Sequence, residues 1–246
     1  MNLNKLATEA DNKIDKDEIK AKTDKLKEEI GQLQDVLFAE RKHALLVVLQ
    51  GMDASGKDGV VKKVFDAVNP AGCNVFPFKV PTEIEASHDF LWRVHNKVPP
   101  KGMIHIFNRS HYEAILIERV HKWIDEKTVE QRIEHINDFE KLLTQCGTTI
   151  LKFYLHVSKD EQLKRLKERI SDPTKNWKYN EGDLKERELW DDYMKAYEDV
   201  IEKCSKAVEW HVIPSDQNWY KEYLISEKIC ETLKTLKMKY PEIKKK

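Results

Sequence analysis

The chain has 246 residues, enough for one large domain or one domain with a lid, and its 40% hydrophobic and 35% charged residues describe a real core under a heavily charged surface. Lys+Arg and Asp+Glu each number 43, so the formal net charge is zero and bulk attraction to nucleic acid or an acidic membrane is not expected. The four cysteines lie far apart and exclude a disulfide framework or zinc ribbon, "MNLNKLATEADNKIDKDEIK" lacks the apolar core of a signal peptide, and no apolar run approaches about 18 residues, so a cytoplasmic protein is expected.

Residues 1–40 are polar, with Leu26, Ile30, Leu33, Val36 and Leu37 at helical spacing, and predict an N-terminal helical extension. "ALLVVLQ" (44–50) is a continuous apolar run, as in a strand covered on both faces. A helix is expected from Lys57 to Val68, stopped by Asn69-Pro70, then a short strand at 74–78 and a helix over 87–98. A third strand (103–108) precedes helical stretches over 111–124 and 128–145, ended by Gly147. A fourth strand (149–157), a helix over 159–170, a break at "SDPTKNWKYNEGD", a long amphipathic helix over 184–204, a fifth strand (210–214) and a helix to about Tyr240 complete the chain. Strands alternating with helices predict a three-layer α/β/α fold around a parallel five-stranded sheet. The expected organisation is the 1–40 extension and a domain over 41–246, with a lid at about 165–190.

The run from Gly51 to Lys57, between a strand and a helix, nearly spells the phosphate-binding loop G-x-x-x-x-G-K-[ST]. Backbone N–H groups of Gly51, Ala54, Ser55, Gly56, Lys57, Asp58 and Gly59 are the expected phosphate cradle, helped by the positive helix N-terminus and the Lys57 ammonium. Asp58 stands where a simple ATPase carries the serine or threonine that holds magnesium. Asp53, inside the loop, suggests that metal ligation has moved there, since magnesium is satisfied by one or two carboxylates plus substrate phosphates.

A second constellation lies in "IHIFNRSHYE". Asn108 occupies the strand end where an acid usually orients metal, and serves as a neutral oxygen ligand or water-holder. Arg109 is expected to face the crevice beyond the carboxyl ends of the strands, with a guanidinium fork suited to phosphate oxygens. Residues 161–180 carry six basic residues against three acids, and residues 181–199 carry eight acids against three bases. Most of these read as paired, solvated helix faces. Arg169, just before the breaker Asp172-Pro173, is read as a lid arginine that neutralises charge on a transferred phosphoryl group.

"GMDASGKDG", "FLWR", "FNRSHYE", "INDFEKLL", "FYLHVSKDEQLKRLKER", "DPTKNWK" and "W-x-x-Y-x-x-A-Y-E" occur in order between about residues 30 and 225. Together they resemble the family-2 polyphosphate kinases. The resemblance implies a P-loop kinase core similar to thymidylate kinase, with a helical lid. It implies reversible transfer of the terminal phosphoryl group of inorganic polyphosphate to AMP and ADP, giving ADP and ATP, with guanine nucleotides as further acceptors. Aspartate after the loop lysine is usual in that family, so Asp58 is no defect. Carried over by match, Asp53, Lys57, Arg109 and Arg169 are catalytic; Asp53 and Asn108 face magnesium, for which manganese substitutes; and Arg93, Asn108 and Glu113 contact the nucleotide. Glu113 could equally cap or pair on its own helix. "FNRSHYE" is similar to the class III subgroup, which accepts both mono- and diphosphates. Lys62, Lys63, Lys79, Lys175 and Lys178 are the candidate polyphosphate channel. A homodimer or homotetramer is implied, without nucleic-acid or membrane partners. The nearest rival is an ATP-dependent nucleoside monophosphate kinase of the thymidylate-kinase type, which should carry serine or threonine at 58 and an acid at 108.

Overall fold

The computed structural model describes residues 1–242, so the last four residues of the expected 41–246 domain lie outside the described residues. Five strands, β1 (Ala44–Gln50), β2 (Cys73–Pro77), β3 (Ile104–Asn108), β4 (Thr148–His156) and β5 (Trp210–Pro214), form one sheet in the order β2-β3-β1-β4-β5. Every pairing is parallel. β1 is central and buried along its whole length. Its side chains alternate between two cores. Leu45, Val47 and Leu49 join one with Ile106, Phe153, Leu155 and Ile225. Leu46 and Val48 join the other with Phe107, Tyr154, Ile136 and Tyr197. This period of two, with both faces apolar, is why the run lacks polar alternation.

Six longer helices flank the sheet: α1 (Lys16–Glu40), α2 (Lys57–Val64), α3 (Glu126–Gln145), α4 (Lys159–Ser171), α5 (Trp190–Lys203) and α6 (Asn218–Thr235). α1 starts where the Asp15 carboxylate accepts from the amides of Asp17 and Glu18. It buries Ile30 and Leu37 in the core that holds Ile229 and Leu233 of α6. Ahead of α1, Leu3 is fully buried, and Thr8 and Ala10 bond Asp216 and Gln217.

The strands fall within a residue of their expected bounds, whereas several helices do not. α2 ends at Val64 rather than Val68, and the last helix stops at Thr235 rather than about Tyr240. The stretch 87–98 is mostly turns, helical only over Trp92–His95. The stretch 111–124 breaks into a 3-10 turn, His111–Ile115, and one helical turn, Ile117–Val120. Tertiary bonding overrides periodicity there: the Tyr112 hydroxyl donates to Glu140 at 2.7 Å and accepts from Lys152 at 2.9 Å. The expected 184–204 helix begins as turns at Gly182–Glu186 and Arg187–Leu189 and becomes continuous at Trp190.

Parallel order puts all five carboxyl ends on one edge. The turn after β1, the Asn108-Arg109 pair after β3 and the start of α4 after β4 therefore open onto one crevice, where open α/β sheets bind ligands.

Candidate active site

The turn after β1 has a backbone that few sequences tolerate. Gly51 and Gly56 have φ of 149° and 101°, and Ala54 lies in the left-handed region at 61°. A side chain at Gly51 would come within 2.8 Å of the Leu155 carbonyl oxygen, so only glycine fits. α2 begins at Lys57, directing its first amides and the positive end of its dipole at the same point.

Each cation at this point is already engaged. Lys57 is buried and donates to the carbonyls of Gly51 and Met52 at 2.6 and 3.2 Å. Burial, then the neighbouring Arg109, lowers its ammonium to about 8, against the pull of Asp53. Arg109, itself at φ 63°, pairs with Asp53. Burial opposes ionisation of Asp53, but the charges of Arg109 and Lys57 outweigh it and hold the carboxyl below its ordinary value. Arg169 pairs with Asp183 at 2.6 Å. Lys178 reaches across to Asp58 at 2.9 Å, and the Asn108 amide donates to the other oxygen of Asp58 at 2.8 Å.

These groups line a cleft of about 890 Å³. Asp53, Ala54, Gly56, Lys57, Asp58, Gly59, Lys79, Asn108, Arg109, Arg169, Lys175 and Lys178 are all on its walls. Gly51 and Glu113 instead border a smaller chamber of about 240 Å³ on the other side of Asp53 and Arg109, with Tyr193 and Tyr197. Burial pushes the Glu113 carboxyl up, against the nearby Arg109. Ser55, expected in the phosphate cradle, is fully buried within the loop and its amide donates to the Met52 carbonyl at 3.1 Å. Lys62 and Lys63 are exposed further along α2, away from the cleft lining. Arg93 braces the wall from outside: it donates to the Lys79 carbonyl at 2.8 Å and lies over the Phe78 ring.

Lys164, Arg165, Glu168, Asn180 and Asp183 also line the cleft and were not singled out from sequence. Arg165 lies one turn before Arg169, and that i, i+4 spacing was the available signal. Arg165 bridges the carbonyls of Ala54 and Ser55 (3.0 and 3.2 Å) to those of Ser215 and Asp216 (both 2.8 Å).

A loop of this shape, with a lysine and two arginines around one point, is built for phosphate chemistry, and the comparisons with known proteins decide which kind. The family model described as polyphosphate kinase 2 matches residues 13–241. The chain belongs to the polyphosphate kinase 2 family. It is 51% identical over 218 residues to an AMP/ADP-polyphosphate phosphotransferase of Meiothermus ruber, covering 88% of this chain and 82% of that one. It is 44% identical over 228 residues to an ADP-polyphosphate phosphotransferase of Rhodopseudomonas palustris, covering 87% and 79%. The crystal structure of polyphosphate kinase 2 from Arthrobacter aurescens superposes with a TM-score of 0.96 at 42% identity, covering all of this chain and 89% of that one. The family's P-loop kinase fold is the fold of this chain.

Proposed function

We propose that the protein transfers the terminal phosphoryl group of inorganic polyphosphate to AMP and ADP, with magnesium, and in reverse. The observation that carries this is the pair of cavities meeting at Asp53 and Arg109. The larger is walled by Lys57, Lys79, Arg109, Lys164, Arg165, Arg169, Lys175 and Lys178 against Asp53, Asp58, Glu161, Glu168 and Asp183, a net basic surface matched to a polyanionic chain. The smaller, with Glu113 and two tyrosines, suits one nucleotide. The relatives named above support the same donor and acceptors.

The acceptor's terminal phosphate oxygen is already an anion, so no side chain need remove a proton. Catalysis is alignment plus neutralisation of charge on the transferred group. The loop amides and Lys57 hold the donor phosphate. Arg109 stands at the shared wall, between donor and acceptor. Arg169 and Lys178 arrive from the segment over residues 165–190, which serves as the lid. Substrate phosphates take over Arg109, Arg169 and Lys178 from Asp53, Asp183 and Asp58, which neutralise them in the free protein.

Among the described residues no cluster of three or more His, Cys, Asp or Glu side chains forms a metal cage. The donor set still suits magnesium, which takes oxygen ligands and is commonly held by one or two carboxylates plus phosphates. Asp53 would hold it, with Asn108 beside it through its carbonyl oxygen or a water. Held there, magnesium would offset phosphate charge during transfer. The four unpaired thiols support a cytoplasmic setting. Exposed Val75 on the edge strand β2, with Val80 and Ile84 beyond it, supports a homo-oligomer.

The test is ATP formation from ADP, and ADP formation from AMP, with magnesium and polyphosphate. The expected result is transfer from polyphosphate to both acceptors. Transfer from ATP to a nucleoside monophosphate, with none from polyphosphate, would overturn the proposal in favour of the thymidylate-kinase type.

A further inference from the structure

Under the phosphate loop, next to Arg165 and Asn218 of the cleft wall, sits a lysine that the mechanism above does not use. Lys221, in the first turn of α6, is fully buried. Its ammonium donates to the Ser55 carbonyl at 3.1 Å and to the Asn218 side chain at 2.9 Å. Among the described residues no carboxylate lies within ion-pair distance of it. A buried ammonium without a counter-ion is unfavourable, and an apolar residue of similar length would fill the space more cheaply. The contact is also tight: a Cβ at Gly56 would come within 2.2 Å of the Lys221 nitrogen.

A loop that turns its amides toward phosphate must turn its carbonyls away. A carbonyl swung into the cleft would oppose the phosphate's charge. Gly51 and Met52 give their carbonyls to Lys57. Asp53 gives its own to Gln162 at 3.1 Å, and Ala54 to Arg165. Ser55 has two cations, Arg165 and Lys221. These restraints act where the backbone resists its own shape, since Ala54 lies at φ 61° and a non-glycine residue there costs about 1 kcal/mol or more.

We propose that Lys221 is a positioning residue for phosphoryl transfer: from under the loop it holds the Ser55 carbonyl out of the cleft, so that the loop amides face the donor phosphate. The proposal rests on the phosphotransfer reading above. Burial, and then the charge of Arg165, lowers the Lys221 ammonium to about 7. A polyanion bound at the loop therefore strengthens the same contact by favouring the charged form.

The test compares the parent with Lys221→Met, which keeps an unbranched apolar stem but no donor, and with Lys221→Gln, which has the same reach as methionine and keeps a donor. Inorganic tripolyphosphate binding is measured by calorimetry on the full chain, with steady-state kinetics and thermal midpoints alongside. For Lys221→Met we expect tripolyphosphate affinity and kcat/KM for polyphosphate to fall about tenfold or more, the KM for ADP to stay within about twofold, and the midpoint to hold or rise. Lys221→Gln should recover part of the loss. A lowered midpoint with parent-like binding and kinetics would overturn the proposal and leave Lys221 a packing residue; if the methionine variant fails to fold, the glutamine variant is judged by the same criterion. If the parent binds tripolyphosphate but transfers no phosphoryl group, the enzymatic reading fails, while the binding comparison still decides whether Lys221 orients the loop.

Discussion

At the residue scale the cleft is a set of cations held by internal partners until phosphate arrives. Lys57 shows the consequence. Its ammonium rests on two loop carbonyls and, among the described residues, belongs to no ion pair. Lys57→Ala should leave the fold intact and reduce turnover at least on the order of a hundredfold, the usual loss when a transition-state charge contact is removed. Circular dichroism and steady-state turnover check both parts. Asp53 neutralises Arg109 and, in the proposed mechanism, also offers oxygen to magnesium. Asp53→Asn should therefore raise the magnesium concentration that gives half-maximal activity, read from a metal titration. A titration superimposable on the parent's would place the metal elsewhere.

At the element scale two assemblies matter. The first is the segment over residues 165–190, proposed above as a lid. Arg169, at the end of α4, is tied to Asp183 beyond the break, and in that proposal closure carries it toward the transferred group. A contact made only on closure contributes mainly to the transition state. Arg169→Ala should lower kcat and kcat/KM together while nucleotide affinity stays near the parent's, and Arg169→Lys should restore only part. Kinetics with ADP and polyphosphate varied separately check this. The second assembly is the buried cluster joining α3, β4 and the turn after β3. Lys152 donates to Glu140 at 2.6 Å, to Tyr112 at 2.9 Å and to the Cys204 carbonyl at 2.6 Å, and both charges are almost wholly buried. Removing one partner strands the other, so Lys152→Met should destabilise by about 3–5 kcal/mol in urea unfolding. Replacing Glu140 by leucine as well should recover much of that loss, a coupling read from the double-mutant cycle.

At the scale of the whole molecule, stability acquires a pH dependence from Lys221. Its folded-state value of about 7 lies below the ordinary 10.5, so between those limits the unfolded chain binds the extra proton. Stability from this group is fully present above about 10.5 and is lost as pH falls toward 7. The thermal midpoint of Lys221→Met should exceed the parent's most at pH 7, and the gap should narrow as pH rises to 10. A gap independent of pH would show that the buried amine stays charged throughout, as it is in the unfolded chain.

The central sheet was legible in the sequence because burial on both faces writes itself locally: "ALLVVLQ" has no polar interruption, and that alone marks it as interior. The loop was legible for a similar reason, since its glycines and lysine are demanded by backbone angles and charge within seven residues. The bounds of the helices after Asn108 and before Trp190 are not legible in the sequence, because the first is set by Tyr112 on Glu140, distant in the chain, and the second by the turns over 182–189. The same holds for the hidden part of the site. Lys221 lies 166 positions from Ser55 and Arg165 lies 111 from Ala54. No spacing in the sequence links such pairs; only the packing of α4 and α6 behind the carboxyl edge of the sheet brings their charges to the loop.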